Sequence, residues 1–476
     1  MRRSAVRLGH RVVIERLVEH ARLHAGLERD LAQCRHPTKT ILFRRPEQHY
    51  LPDRNVAIPE MTTPYLRRLI DNRLDDLLTE LPAVMIVGPR AAGKTTTISR
   101  RAATVIGLDV PARAAVFRAD PDAALRGLPE PVLLDEWQEV PEVLGAVRRA
   151  VDADPRPGRY LITGSQQKQL TASVWPGTGR VVRVTMYPMT IAEQRGTLSA
   201  RTLLDRLVSG EEIASPRQPP DIRGYVELAL AGGFPRPLLS TTGTRRRAWY
   251  ESYIEDLLTH DVDRMAPTRT RRWDSEALRR YFEACAAHSA GIPEHKTLYD
   301  AARVNRLTAV DYDELLAGLF ALEEVPAWAT NRLKRLTQTP KRYLLDAALV
   351  GAMLSLDLRG VLADGGLLGR ILDTFVAAQL RPEVAVSAAA PRRFHLRTKA
   401  GEREVDMLIE LGGGRVIGIE VKVSASPDRT DAAGLEWMRD RLGDRFVVGV
   451  VFHTGPQAFR LAERVTALPI AAIWEP

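Results

Sequence analysis

The chain has 476 residues, 45% of them hydrophobic, with 68 Lys and Arg against 59 Asp and Glu, a formal charge of +9 and a pI near 9.7. That length predicts two to four domains with sizeable cores, and the Arg-rich positive balance leaves room for a nucleic-acid or acidic partner without establishing one. Two cysteines exclude a disulfide framework and a Cys-rich zinc site and fit a reducing, cytoplasmic setting, and no apolar run reaches the length of a transmembrane helix.

Residues 1–60 stand apart, with 12 Lys and Arg against 7 Asp and Glu and half of the ten histidines. Val12 to Leu31 has the spacing of one amphipathic helix, and residues 36–59 read as irregular. A basic arm for nucleic acid and a poorly ordered extension both fit; the second is favoured, with Met61 a natural start for the nucleotide-binding core. The N-terminus lacks the uninterrupted apolar segment and small-residue cleavage site of a secretory signal.

Residues 61–200 read as that core. Leu66, Leu69, Ile70, Leu74, Leu77 and Leu78 recur at helical spacing over 65–81. The apolar run Ala83 to Val87 then reads as a buried strand. It leads into Gly88, Pro89, Arg90, Ala91, Ala92, Gly93, Lys94 and Thr95, which fit G-x-x-x-x-G-K-[ST] at every fixed position. The chemistry demands a loop whose backbone N–H groups converge on phosphate oxygens, and glycines allow the turns and the close approach. Lys94 is expected to reach the β- and γ-phosphates of ATP, Thr95 to place its hydroxyl on Mg²⁺, and Thr96 to come next in the helix opened by the loop. A short strand is predicted over 114–117 and a third over 132–134. The third ends in Asp135 and Glu136, expected to hold the Mg²⁺ shell and to deprotonate the attacking water respectively. A helix is predicted over 140–152, then strands over 159–165 and 181–186. The alternation implies a parallel sheet with helices on both faces.

The stretches GPRAAGKTT, VLLDEWQEVP, RYLITGSQ and GTGRVVRVTMYPMTIAEQ resemble the AAA+-type P-loop ATPases of bacteria and archaea. More narrowly they resemble a group with an additional C-terminal domain of unknown function. The resemblance extends through AGGFPRPL, WYESYIEDLLTHDVDR and KRYLLDAALVGAML and covers about residues 63–425. It implies ATP hydrolysis, a polar sensor at Thr163 or Ser165, and an arginine finger at Arg180, which in trans would require a homo-oligomer.

Residues 201–268 read as a helical lid or linker, with helices over 224–239 and 244–265. Over 269–345, three short helices (275–290, 296–303 and 309–319) precede a strand pair at 320–328, an arrangement that resembles a winged helix-turn-helix. Arg303, Arg306, Arg332, Lys334 and Arg335 are its candidate phosphate contacts; DNA contact and a protein-contact module with a solvated basic face stand level, because this fold serves both.

Residues 346–476 carry a second group of charges. A helix over 368–380 bears Asp373, a strand over 404–409 bears Asp406, and after a turn at 412–414 a paired strand bears Glu420 and Lys422. Period-2 alternation puts Glu420 and Lys422 on one face and Val421 in the core. The set can converge on a second metal ion. It resembles the PD-(D/E)xK, restriction-endonuclease-like α/β fold, with Asp373 where that superfamily usually has Glu. Two readings stay open: a nuclease gated by ATP, and a vestigial scaffold whose charges satisfy one another. A nucleotide switch that recruits a protein partner is the third function class.

Overall fold

The structure is a computed structural model and describes residues 65–165, 178–240, 242–265, 274–331, 335, 338–398 and 403–475. The extension over 1–60, Arg332 and Lys334 lie outside the described residues.

The first layer system is a parallel sheet of β1 (Ala83–Val87), β2 (Thr104–Gly107), β3 (Val132–Asp135), β4 (Tyr160–Gly164) and β5 (Val182–Thr185), in the order β2-β3-β4-β1-β5. Side chains alternate across a strand, and here both faces are buried. Ala83, Met85, Val87, Val132, Leu134, Tyr160 and Ile162 pack under the helices Pro111–Ala119 and Val143–Ala153. Val84, Ile86, Leu133 and Leu161 pack against helix Ile70–Glu80 and Ile98. Because both faces are covered, β1, β3 and β4 read as continuous apolar runs.

The strand expected over 114–117 is a helix, Pro111–Ala119. Pro111 is preset for a first helical turn, and Ala114 and Phe117 are buried while Ala115 and Val116 are exposed, the spacing of a helix face. The true second strand, β2, is a half-buried edge and lacks the apolar run that marks an inner strand.

The helix expected over 224–239 is divided into Ile222–Ala231 and Pro235–Ser240; Pro235 has no N–H to continue the first helix. Helix Thr244–Asp256 runs on into a π-helical turn, Leu257–Asp261, and then Val262–Met265. Helices Ser275–Ala287, His295–Ala302 and Arg306–Gly318 come next. The strand pair expected within 320–328 is not local. Only β6 (Leu322–Val325) lies there, and its antiparallel partner is β7 (Lys341–Leu344). Alternation within a short segment cannot reveal a partner that distant in the chain.

The C-terminal sheet is mixed and six-stranded: β8 (Arg392–Arg397), β9 (Glu404–Glu410), β10 (Val416–Val421), β11 (Phe446–His453), β12 (Phe459–Ala462) and β13 (Val465–Pro469), in the order β12-β13-β11-β10-β9-β8. The β9–β10 hairpin pairs Glu410 with Val416 and Met407 with Ile419 across the Gly412–Gly414 turn. Helix Gly365–Val386, 22 residues long, covers one face; helix Ala433–Leu442 covers the other. One apolar cluster runs from Ile191 through the helical segments to the C-terminal sheet and Trp474. Among the described residues, no helix is long and apolar enough to cross a membrane.

Candidate functional site

At the carboxyl end of β1 the chain turns sharply. Gly88 has φ +154, and a Cβ there would lie 2.1 Å from the Met186 carbonyl oxygen, so backbone takes space that a side chain would fill. Gly93, φ +93, then opens helix Lys94–Ile98. Arg68, buried just before helix Ile70–Glu80, braces the loop from behind. Its Nη1 donates to the Ala92 carbonyl at 2.8 Å, its Nη2 to the Tyr187 carbonyl at 2.7 Å, and its Nε pairs with Glu193 at 3.0 Å. Lys94 is folded inward, its Nζ donating to the carbonyls of Gly88 at 3.0 Å and Pro89 at 2.8 Å. Burial lowers its pKa to about 8, although the Glu136 and Asp135 carboxylates oppose the shift.

The sheet brings the other residues to this edge. Asp135 ends β3; its carboxylate accepts from Thr95 Oγ1 at 2.8 Å and from Thr163 Oγ1 on neighbouring β4. Burial pushes the Asp135 carboxyl up, against the pull of those two hydroxyls. Glu136 is next, in a left-handed conformation, φ +56, which is strained for a residue with a Cβ. Its N–H donates to Thr163 Oγ1 at 3.3 Å, and its carboxylate accepts from Ser165 Oγ at 3.2 Å and from the Gln138 amide. Lys94, Thr95, Asp135, Glu136, Thr163 and Ser165 are therefore neighbours, and the phosphate loop lies at the ends of β1, β3 and β4. Arg180 takes a different place: it is half-exposed, and its Nε donates to Asp152 at 2.8 Å near the end of helix Val143–Ala153.

Three loop contacts carried no local sequence signal. Arg68 and Gln138 read as ordinary surface residues of their segments. Arg90 pairs at 2.9 Å with Asp261, buried in the π-helical turn 171 positions further on.

The C-terminal charges also gather. Asp406 on β9 accepts from the Val421 N–H at 3.0 Å, and Lys422 lies 3.3 Å from Glu420. Glu420 is buried, Val421 half-buried at the edge of the core, and Asp373 arrives from helix Gly365–Val386. The residue that sequence reasoning missed is Lys341 on β7. Its Nζ lies 2.7 Å from Asp373 Oδ2 and 2.9 Å from Asp406 Oδ1. Burial raises Asp373 to about 6, and burial, reinforced by Asp406, raises Glu420 well above the usual carboxylate range. Burial also acts upward on Asp406, but the Lys341 ammonium outweighs it and holds Asp406 low. The expectation of a second metal site at Asp373, Asp406, Glu420 and Lys422 is corrected here. The residues meet, but an ammonium joins the first two carboxylates. Among the described residues, no group of three or more His, Cys, Asp or Glu is arranged to hold a metal. Of the expected DNA contacts, Arg303 and Arg306 are exposed. Arg335 is buried, bidentate on Glu410 at 2.7 and 2.9 Å and stacked on Trp328 and Phe394, so it is not available to a phosphate.

Residues 80–194 match a family described as an AAA domain. Residues 222–359 and 368–473 match two families described as domains of unknown function, DUF8612 and DUF4143. The chain is 27% identical over 413 residues to the uncharacterized protein Rv2008c of Mycobacterium tuberculosis and equally to the uncharacterized protein Mb2031c of Mycobacterium bovis, covering 85% of this chain and 83% of each relative. Together with the parallel five-stranded sheet, the AAA match supports a nucleotide-binding, AAA-type ATPase domain.

Proposed function

We propose that this chain binds ATP with Mg²⁺ at the phosphate loop and hydrolyses it, the remainder of the chain acting as the output of that cycle. The observation that carries the reading is the meeting of Lys94, Thr95, Asp135, Glu136 and Thr163 at the carboxyl ends of adjacent parallel strands, where ligands of open α/β sheets sit. The donor set fits the metal: Thr95 Oγ1 and the Asp135 carboxylate already touch, the hydroxyl-and-carboxylate pair that a hard cation takes. Bound there, Mg²⁺ would neutralise phosphate charge. Lys94 would exchange the Gly88 and Pro89 carbonyls for β- and γ-phosphate oxygens. Glu136, held by Ser165 and Gln138, would accept the proton of the attacking water, and Thr163 would fix both carboxyl-bearing residues relative to it. Arg180 as a finger in trans requires it to leave Asp152 and a second subunit to receive it.

The test is a paired measurement of nucleotide affinity and turnover on the full chain. Lys94→Ala should abolish ATP binding, and Glu136→Gln should bind ATP while turning it over at least ~10²-fold more slowly, the size of a lost general base. Wild-type affinity in the first variant would remove the site. Unchanged turnover in the second would favour a switch that recruits a protein partner over an enzyme whose base is Glu136.

A second reading, contact with DNA, is favoured by one observation: Arg303 and Arg306 are exposed at the start of the third of three helices that precede the β6–β7 hairpin. In the same assay, duplex DNA should alter turnover in wild type and not in an Arg303→Ala, Arg306→Ala variant.

A further inference from the structure

Lys341 lies on the face of β7 that looks toward the C-terminal sheet. Alternation puts Tyr343 on that same face, and both side chains end on one carboxylate: Lys341 Nζ lies 2.7 Å from Asp373 Oδ2, and Tyr343 Oη donates to Asp373 Oδ1 at 3.1 Å. Arg342, between them, faces away and pairs with Asp313 and Glu324. The same ammonium lies 2.9 Å from Asp406 Oδ1, while Asp406 Oδ2 accepts from the Val421 N–H. All four carboxylate oxygens of Asp373 and Asp406 thus have a partner. Lys341 is 1% exposed, and the cluster borders a cavity of about 580 Å³ that Arg370 and Arg403 also line.

We infer that Lys341 is a built-in cation that stands where a divalent metal would have to sit between Asp373 and Asp406, so that the C-terminal carboxylate cluster closes without metal and ties the β6–β7 hairpin to the C-terminal sheet. The inference concerns a site separate from the phosphate loop and does not depend on the ATPase reading. Its physical basis is exclusion. Mg²⁺ needs its oxygens at roughly 2.1 Å, and an ammonium already bonded to both carboxylates occupies that volume and supplies the counter-charge. To admit the ion the protein would have to leave a buried lysine without its partners, which is strongly unfavourable. Glu420 and Lys422 form a second internal pair beside the first, and together the two lysines face three carboxylates.

The test is a Mn²⁺ titration of the nucleotide-free full chain, monitored by the electron-paramagnetic signal of the free ion, with Asp406→Asn as the reference for binding elsewhere. Wild type and Asp406→Asn should take up Mn²⁺ equally. Lys341→Met, which keeps the length of the side chain without its charge, should gain a site at least about tenfold tighter than any in wild type, and Lys341→Met, Asp406→Asn should lose it again. A tight site in wild type that disappears in Asp406→Asn would overturn the inference, as would a folded Lys341→Met with no new site. Should Lys341→Met fail to fold, the wild-type melting temperature with and without Mn²⁺ decides, using Glu420→Gln as reference. A metal-dependent rise that only wild type shows overturns the proposal, and equal melting of wild type at both conditions upholds it.

Discussion

Glu383 lies in helix Gly365–Val386, 4% exposed, and accepts the Leu204 backbone N–H at 2.9 Å. Burial pushes its carboxyl up to about 8, beyond what the Leu204 and Leu203 N–H groups and Arg206 pull back. Below about pH 4.5 both the folded and the unfolded state are protonated, and the folded protein carries no penalty. Between 4.5 and about 8 the unfolded chain has lost the proton and the native state keeps it, so stability falls as pH rises, and above about 8 the loss is complete. Glu383→Gln keeps an oxygen acceptor for the Leu204 N–H and removes the titration. The variant should therefore gain on wild type by on the order of 3–5 kcal/mol between pH 4.5 and 8.5, read from urea midpoints at each pH. Parallel profiles for the two proteins would show that Glu383 ionises in the fold as it does in water.

At the scale of elements, the loop that would hold phosphate is bonded to the helical segment through one pair, Arg90 and Asp261. Asp261 closes the π-helical turn Leu257–Asp261, an irregularity that helices often carry at functional positions. The same neighbourhood holds Tyr253, fully buried, whose hydroxyl is pushed far above its usual value first by burial and then by Asp261, with Arg90 opposing. A nucleotide that draws Arg90 toward its phosphates would loosen this turn. Hydrogen exchange over 257–265 should thus change when ATP is added to wild type and change less in Asp261→Asn. The stability difference between the two without nucleotide should be small, about 1 kcal/mol or less, because Arg90 is partly solvated. Equal ATP-induced exchange in both proteins would rule the pair out as the connection.

Across the whole molecule, the C-terminal end closes the core that the helical segments share. Trp474 is 2% exposed and meets Tyr225 edge-on at 6.1 Å and Phe375 at 6.0 Å. Its carbonyl accepts from Thr197 Oγ1 at 3.0 Å, and the Ala471 N–H donates to Tyr225 Oη at 3.1 Å. Ile191 N–H, just past the ATPase sheet, donates to Gln379 in helix Gly365–Val386 at 2.8 Å. These contacts bind segments near residues 191, 225, 375 and 474 into one cluster. Trp474→Ala should cost roughly 3–5 kcal/mol, the range for a large buried aromatic, measured as a shift of the urea midpoint at constant slope. A cost under about 1 kcal/mol would mean that the chain end only rests on the surface.

What the sequence determined by itself is the part of the site whose chemistry is contiguous. Gly88 to Thr95 and the strand ending in Asp135 and Glu136 are legible because a loop, its flanking strand and its glycines act within a few residues of one another. The same holds for the β9–β10 hairpin and its turn. The second strand was misplaced because β2 is a half-exposed edge, while Ala114 to Phe117 are apolar enough to imitate a strand inside a helix. Tertiary structure alone decided where the charges went. Arg180 met Asp152, Arg335 met Glu410, Arg90 met Asp261, and Lys341 entered between Asp373 and Asp406. A charged side chain is stabilised by whichever opposite charge the fold brings within a few ångströms, and in each of these pairs that partner lies tens of residues or more away in the chain.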